Sequence, residues 1–248
     1  MASPTTLPQL IYFHGQPGGP GEFQACAPPG LRAFTPDRTM PVAVSELAAL
    51  IVSHCADGPV TLIGFSLGAP VALAVARAKG DRVAHLHLIA PAAPLALGDF
   101  LPAMAGGSLF RLARSRPALF WLVAQLESLV ARTAPGFLCD RLFATAAGAD
   151  LALSRDPGFR QAMAQVLRAG LGRSPAGFIA EVTAYAAGGP ADLAGIAVPI
   201  TLWQGDADNW TPPAMAEALA AALPGSISFN RLPGCSHYAA LRAALARL

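Results

Sequence analysis

The amino-acid sequence predicts an α/β fold: a mostly parallel, doubly wound sheet that is interrupted by one helical insertion. Near both ends of the chain, short apolar runs ending in glycine or proline alternate with helical segments, which is typical of buried parallel strands. From about residue 95 to residue 189 the sequence has several helix starts but no convincing strand. We therefore expect a sheet core formed by residues 1–94 and 191–248, and a helical lid formed by residues 95–190.

The first part of the core alternates strands with helices. LPQLIYFHG and GLRAFTPDR predict the first two strands, and VSELAALIVSHCADG predicts a helix with a glycine stop. The uncharged stretch PVTLIGFSLGAPVALAVA is long enough to suggest a membrane span. Glycines and prolines interrupt it, however, and only its second part has helical character, so it predicts a buried strand, a sharp turn and a buried helix. RVAHLHLIAPAAP predicts the next strand, which ends at Pro91.

Helix signals dominate the insertion, and alternation returns after it. Ser115, Asp156 and Ser174 each precede a segment that has proline near its start, a pattern typical of helix N-termini. After the insertion, IAVPITLWQG predicts a strand and TPPAMAEALAAALPG a helix with Thr211 as its cap. SISFNRLPGCSHY and AALRAALARL predict the last strand and the last helix.

Composition and charge exclude several classes of function. The formal net charge of +2 over 248 residues provides no strong field for nucleic acid or an anionic membrane. Cys26, Cys55, Cys139 and Cys235 have no metal-binding or disulfide-framework spacing, so we expect free thiols and neither metal nor cofactor. The first residues lack a basic region followed by a long apolar region. We expect a cytoplasmic protein with a small-molecule substrate and no stable membrane span.

The residues Gly64-Phe65-Ser66-Leu67-Gly68 form a G-x-S-x-G pattern between the predicted strand and the predicted helix. In such a nucleophile elbow, the sharp turn exposes the serine hydroxyl at the start of the helix, and small flanking residues relieve the crowding. The helix N-terminus favours a developing negative charge. Ser66 is therefore the candidate nucleophile.

A serine nucleophile needs a base, and the base needs a carboxylate that orients it. For this elbow the chain order is serine, acid, histidine. His237 is the only histidine after residue 87, and it follows the last predicted strand. Two acids, Asp206 and Asp208, follow the strand before it, and we prefer Asp208 as the acid.

Acyl transfer also requires donors for a tetrahedral oxyanion. The backbone N–H of Leu67, directly after Ser66, is one candidate. The second is expected from the loop HGQPGG after the first strand, where Gly15 allows close approach of the backbone. The N–H of Gln16 is our candidate there.

Together, HGQPGG, TPDR, GFSLG, GDADNWTP and GCSH resemble the α/β-hydrolase superfamily in order and spacing. The resemblance covers about residues 7–94 and 191–248. It implies the α/β-hydrolase fold with a helical lid, and it favours Asp208 over Asp206 as the acid. The form of the first loop resembles the proline-iminopeptidase, epoxide-hydrolase and C–C-hydrolase branches, and the chain as a whole resembles proline-iminopeptidase-like and esterase-like members. Little chain precedes the first predicted strand, which raises the question of edge protection and leaves a homodimer open.

The resemblance implies a serine hydrolase, and we expect a small, mostly apolar ester as its substrate. Thioester or C–C bond hydrolysis, aminopeptidase activity, acyl transfer and perhydrolysis use the same triad and stay open. A binding protein without catalysis is the remaining alternative. Phe100, Phe120 and Trp121 are candidates for an apolar pocket in the insertion, although such side chains also suit the insertion's own core.

Overall fold

The computed structural model describes residues 10–54, 58–189 and 192–248, and within them it contains one parallel sheet. Its five strands are paired in the order β1-β2-β3-β4-β5, every neighbouring pair being parallel. They are β1 (Leu10–Phe13), β2 (Val60–Phe65), β3 (Val83–Ile89), β4 (Ile200–Gly205) and β5 (Ile227–Leu232). Residues 7–9 of the first predicted strand, Cys55, and the domain boundary at residues 190–191 lie outside the described residues.

Helices connect these strands and also fill the segment between β3 and β4. The core helices are α1 (Glu22–Cys26), α2 (Val44–His54), α3 (Gly68–Ala78), α10 (Pro213–Ala222) and α11 (His237–Leu245). The helices between β3 and β4 are α4 (Gly107–Ser115), α5 (Pro117–Thr133), α6 (Pro135–Leu142), α7 (Asp150–Leu153), α8 (Pro157–Ala169) and α9 (Ala176–Ala187). We call residues 95–189, in which the structure contains no strand, the helical insertion.

Two adjacent residues of β2 show that helices cover both faces of the sheet. A Cβ on Gly64 would approach the Cα of Ala69 in α3 to 2.7 Å, so this position faces α3. The ring of Phe65 lies 4.6 Å, centroid to centroid, from that of His237 in α11. Because successive strand residues point to opposite faces, α3 and α11 cover opposite sides, as expected for a doubly wound sheet.

The second predicted strand is wrong as a full strand. Around Phe34 the chain makes a single parallel bridge to Ile11, with hydrogen bonds from Tyr12 N to Phe34 O (2.8 Å) and from Phe34 N to Leu10 O (2.9 Å). Pro36 follows two residues later and has no N–H to continue the ladder. The segment therefore covers the free edge of β1 as an extended loop.

Two of the three predicted helix starts in the insertion agree with the structure, whereas Ser115 is the last residue of α4 and α5 begins at Pro117 without a side-chain cap. Asp156 caps α8, since its Oδ1 accepts the N–H of Phe159 at 2.6 Å. Ser174 Oγ accepts the N–H of Ala176 at the start of α9. These local hydrogen bonds satisfy donors that the first helical turn leaves unpaired, which explains why the starts could be recognised from sequence.

Candidate active site

The candidate site lies at the carboxyl ends of the strands, where open parallel sheets form their crevices. Ser66 directly follows β2, and its φ of 54° is in the left-handed region. Its N–H donates to Ile89 O at the end of β3 (3.1 Å). A Cβ on Gly68 would lie 2.0 Å from Phe13 O, so only glycine fits there. Close packing thus enforces the strained backbone conformation at Ser66, which directs its side chain away from the sheet.

His237 and Asp208 are brought together from the ends of β5 and β4. His237 is the first residue of α11, and its Nδ1 lies 2.8 Å from Asp208 Oδ2, with both side chains buried. The other carboxylate oxygen, Oδ1, accepts the N–H groups of Trp210 (2.8 Å) and Thr211 (3.0 Å). Asp208 is thereby fixed to present Oδ2 to the imidazole, which orients the ring and sets its tautomer.

Asp206, the competing acid, has a different place. Its Oδ1 accepts the N–H of Gly234 at 2.7 Å in the exposed turn before His237. The carboxylate shapes that turn and is not bonded to the imidazole. The geometry therefore supports the preference for Asp208, which stays a prediction about catalysis.

Thr211 does not cap α10, which corrects the sequence prediction. Pro212 occupies the cap position, and no side-chain cap is present. The Thr211 hydroxyl instead lies 3.0 Å from both Ala90 O and Asp208 Oδ2. Because the hydroxyl has one proton, it donates to one of these two acceptors at a time, and it lies between the acid and the end of β3.

Ser66 and His237 line one small cavity of about 240 Å³ together with Gly15, Gln16 and Trp210. The imidazole packs between Phe65, at a centroid distance of 4.6 Å, and the stacked indole of Trp210, at 6.1 Å. These rings restrict the orientation of the imidazole while its Nδ1 is held by Asp208. Among the described residues no hydrogen bond joins Ser66 Oγ to His237 Nε2, and the two side chains are brought together only as neighbours that line the same cavity.

We expect the acid limb of the pH profile to lie above pH 6.5. Burial is the largest influence and disfavours the imidazolium, but the carboxylates of Asp208, Asp150 and Glu22 together outweigh it and raise the pKa of His237 above 6.5. A base must be neutral to accept a proton, so kcat/KM should fall tenfold per pH unit below that pKa. Initial rates on an uncharged substrate between pH 5 and 9 measure the midpoint. A midpoint below 6.5 contradicts this expectation.

Two backbone N–H groups next to Ser66 are available for an oxyanion. Among the described residues, neither the N–H of Gln16 nor that of Leu67 has a hydrogen-bond partner. Both residues line a cavity with Ser66, and a Cβ on Gly15 would lie 3.2 Å from the Ser66 Cβ. The loop after β1 is thus close enough to the elbow for the oxyanion role predicted for these two groups.

The larger cavity beside Ser66, of about 460 Å³, lies between the core and the insertion. Most of its lining is apolar. It includes Ala92, Met104, Leu109, Phe110, Phe178 and Val182.

The three predicted pocket residues do not line this cavity. Phe120 has no exposed surface and packs behind Phe178, with ring centroids 5.8 Å apart. Phe100 packs against Gly98. Trp121 is 52% exposed on the outer side of α5. The predicted pocket is corrected to α4 and α9, because helical periodicity does not determine which helix faces the core.

Sequence reasoning missed two buried acids that support the site. Asp150, in α7 of the insertion, accepts the N–H groups of Tyr238 (3.0 Å) and Ala239 (2.7 Å) and so caps the helix that begins with His237. Glu22 accepts the N–H of Gly15 at 2.8 Å, and burial raises the pKa of its carboxyl. Neither acid has a local motif that indicates its distant partner.

The described residues contain no group of three or more His, Cys, Asp or Glu side chains arranged to hold a metal ion. None of the helices in the described part of the chain has both the length and the apolar character needed to cross a bilayer.

Comparison with known families agrees with this architecture. Residues 29–240 match the family described as serine aminopeptidase, S33, whose members are α/β hydrolases. The match spans most of the chain, including the elbow, the insertion and both candidate triad partners. The chain belongs to this α/β-hydrolase family. No curated protein matches it in sequence.

Solved structures similar to this α/β hydrolase include enzymes with several activities. An esterase from Thermogutta terrifontis has 22% identity and a TM-score of 0.68, with 98% of this chain and 87% of that chain covered. A bromoperoxidase from Bacillus anthracis has 18% identity and a TM-score of 0.67, with 97% and 89% covered. An esterase from Exiguobacterium antarcticum has 16% identity and a TM-score of 0.62, with 94% and 85% covered. At these identities the similarity shows the α/β-hydrolase fold.

Proposed function

We propose that this α/β hydrolase is a serine hydrolase that cleaves a small, mostly apolar carboxylic ester. The observation that carries the proposal is the buried Asp208–His237 pair, which shares a cavity with a strained, outward-facing Ser66. Ser66 Oγ attacks the ester carbonyl while His237 Nε2 takes its proton. The N–H groups of Gln16 and Leu67 stabilise the oxyanion.

The second half of the reaction uses the same groups. Collapse of the tetrahedral intermediate breaks the bond to the alcohol oxygen, which leaves with the proton from His237, and the acyl group stays on Ser66. Water then attacks the acyl-enzyme, gives its proton to His237, and releases the carboxylic acid and the free serine.

The two cavities give the ester an orientation. The leaving oxygen must reach His237, which lines only the smaller cavity. The acyl group is then left to occupy the larger, apolar cavity under α4 and α9. We therefore propose a substrate with an apolar acyl group of medium size and a small leaving alcohol.

The family description names an aminopeptidase, an enzyme that cleaves peptides at a free amino terminus. We favour an ester over such a peptide as the substrate. Recognition of a free amino terminus calls for an acidic partner for its ammonium group. The residues that line the two cavities include no aspartate or glutamate within the described part of the chain. Thioester or C–C bond cleavage, acyl transfer and perhydrolysis would use the same groups, and product analysis with added thiols, alcohols or peroxide separates them.

Two ester series test the function and the orientation together. We expect kcat/KM of the wild type to rise from acetyl to hexanoyl esters of one small alcohol, and to fall as the alcohol of an acetate is lengthened. Leu109→Trp should lower kcat/KM for the hexanoyl ester at least tenfold and leave ethyl acetate within about threefold, since Leu109 lines only the larger cavity.

Leu142→Trp is the matched control, because Leu142 lines only the smaller cavity. Leu142→Trp should lower kcat/KM along the alcohol series and not along the acyl series. If folded wild-type protein hydrolyses neither series, the proposed function is contradicted. Swapped effects of the two variants leave the function in place and reverse the orientation.

A further inference from the structure

The insertion contributes Glu181, whose side chain is 22% exposed and forms an ion pair with Arg38, and this pair is bonded to the candidate oxyanion loop. Arg38 is 1% exposed although it carries a full charge. Its Nε donates to Glu181 Oε1 at 2.8 Å, and its Nη2 donates to Glu181 Oε2 at 3.1 Å, so the pair is bidentate. Arg38 belongs to the loop that follows the Phe34 segment, whereas Glu181 is in α9.

The same two side chains also hold the loop after β1. The Nη2 of Arg38 donates to His14 O at 2.7 Å, and Gln16 Nε2 donates to Glu181 Oε2 at 3.0 Å. One carboxylate and one guanidinium therefore fix the residues on both sides of Gly15. Between them lies the Gly15–Gln16 peptide, which carries the candidate oxyanion donor.

Both backbone groups of Gly15, next to that donor, are partnered. Gly15 N donates to Glu22 Oε2 at 2.8 Å, and Gly15 O lies 2.7 Å from His14 Nδ1. Burial and the charge of Arg38 lower the pKa of His14 to about 3, so the ring is neutral and its Nδ1–H donates to this carbonyl. The N–H of Gln16 has no partner among the described residues, which suits a site for a negatively charged oxygen.

Stability alone is a weak reason for this pair. Buried ion pairs often contribute less than well-packed apolar side chains, because both charges lose their hydration. Here Arg38 Nη1 is also buried without a partner in the described structure. A positioning role accounts for what a stability role does not, namely that both members also bond to the residues flanking Gly15.

The helix that carries Glu181 is held rigidly and also borders the substrate cavity. Gly177 N, in the first turn of α9, donates to Thr39 O at 3.0 Å, and a Cβ on Gly177 would lie 1.9 Å from Arg38 O. Phe178 and Val182, on either side of Glu181 in sequence, line the larger cavity. The helix thus borders the cavity that is proposed for the acyl group and also contacts the oxyanion loop.

From these contacts we infer that Glu181 is a positioning residue: through Arg38 and Gln16 it fixes the Gly15–Gln16 peptide as an oxyanion donor. The inference rests on the proposed function. It gives the insertion a part in transition-state stabilisation, beyond covering the site. Because an oxyanion exists only in the transition state and the tetrahedral intermediate, loss of this positioning lowers kcat and leaves KM nearly unchanged.

Glu181→Gln tests this role with little change of shape. The amide NH₂ of the new side chain is a donor and faces the donors of Arg38 or Gln16, so the hydrogen bonds from position 181 to Arg38 and to Gln16 are weakened. On the preferred apolar ester we expect kcat to fall about 10- to 100-fold, less than the full loss of an oxyanion donor, with KM within about threefold of the wild type. kcat is calculated per active site, and the active sites are counted by complete labelling with a fluorophosphonate. Unfolded protein is not labelled and therefore does not enter the value.

A double variant separates positioning from stability. Arg38→Met with Glu181→Gln removes both charges, so the melting temperature should recover relative to Glu181→Gln. His14 O and the Gln16 amide still lack their charged partners, and kcat should stay low. The matched control is Arg173→Gln, since Arg173 pairs with Asp37 at 2.9 Å on the surface and joins the insertion to the same loop as Arg38. Its kcat should stay within about twofold.

The outcomes are distinct. A low kcat in Glu181→Gln that persists in the double variant, with Arg173→Gln unaffected, supports the positioning role. Glu181→Gln with wild-type kcat, a raised KM alone, or full recovery of kcat in the double variant overturns it. A wild type that neither hydrolyses esters nor labels at Ser66 refutes the proposed function itself, which is a separate result.

Discussion

Ser66→Ala is expected to lower kcat for ester hydrolysis by about 10⁶-fold, the scale observed when a triad nucleophile is removed. The methyl group cannot attack the carbonyl, and no acyl-enzyme can form. The change adds no atom to the tight turn, where the Ser66 Cβ already lies near Gly15 and β2 continues into α3. The fold should therefore persist. Stopped-flow or fixed-time hydrolysis of a chromogenic ester measures the loss.

Covalent labelling provides a second readout of the same prediction. A fluorophosphonate should add its mass to the peptide that contains Ser66 in the wild type and to no peptide in Ser66→Ala. Ser128→Ala is the matched control: Ser128 is fully buried in α5 and its hydroxyl has no partner among the described residues. Its removal should be neutral for activity and for stability. Wild-type turnover by Ser66→Ala would show that another group is the nucleophile.

The strand–turn–helix around Ser66 could be predicted because its determinants are local. Gly64 is required by its contact with Ala69 within the turn, whereas Gly68 is required by Phe13 O of β1 and could be recognised only through the G-x-S-x-G pattern. The cap of α8 by Asp156 is local in the same sense. Where adjacent residues decide the backbone, sequence reasoning agrees with the structure.

Long-range partners outside the recognised motifs were beyond sequence reasoning. Arg38 and Glu181 are separated by 143 positions in sequence. Thr211 has the local pattern of a helix cap, yet its hydroxyl bonds to Ala90 O, 121 residues away. No periodicity specifies such pairs, since they depend on how the insertion and the strand ends come together. The same reason explains why Phe110 and Phe178 line the cavity while Trp121 does not.

Asp208→Asn should lower kcat by about 10⁴-fold, through the tautomer of His237 more than through its position. The amide oxygen can replace Oδ1 as acceptor for the N–H groups of Trp210 and Thr211. The amide NH₂ then faces His237 Nδ1, where Oδ2 is now 2.8 Å away. A donor at that place makes Nδ1 the acceptor and puts the imidazole proton on Nε2. The ring can then no longer accept the Ser66 proton.

Loss of the carboxylate also removes the charge that raises the pKa of His237, while burial continues to lower it. The acid limb of the residual activity should therefore move to lower pH than in the wild type. This shift distinguishes an electrostatic role from a general loss of fold, which would reduce the rate without moving the limb.

Asp206→Asn is the control, because it makes the same change two positions away, at the acid that competes with Asp208 in the sequence. Its amide oxygen can still accept the N–H of Gly234, so kcat should stay within about threefold of the wild type. A loss of 10³-fold or more in Asp206→Asn, with Asp208→Asn nearly active, would assign the acid to Asp206. That result would require the turn at Gly234 to rearrange so that Asp206 reaches the imidazole, and Asp208 would then serve only to hold Trp210 and Thr211.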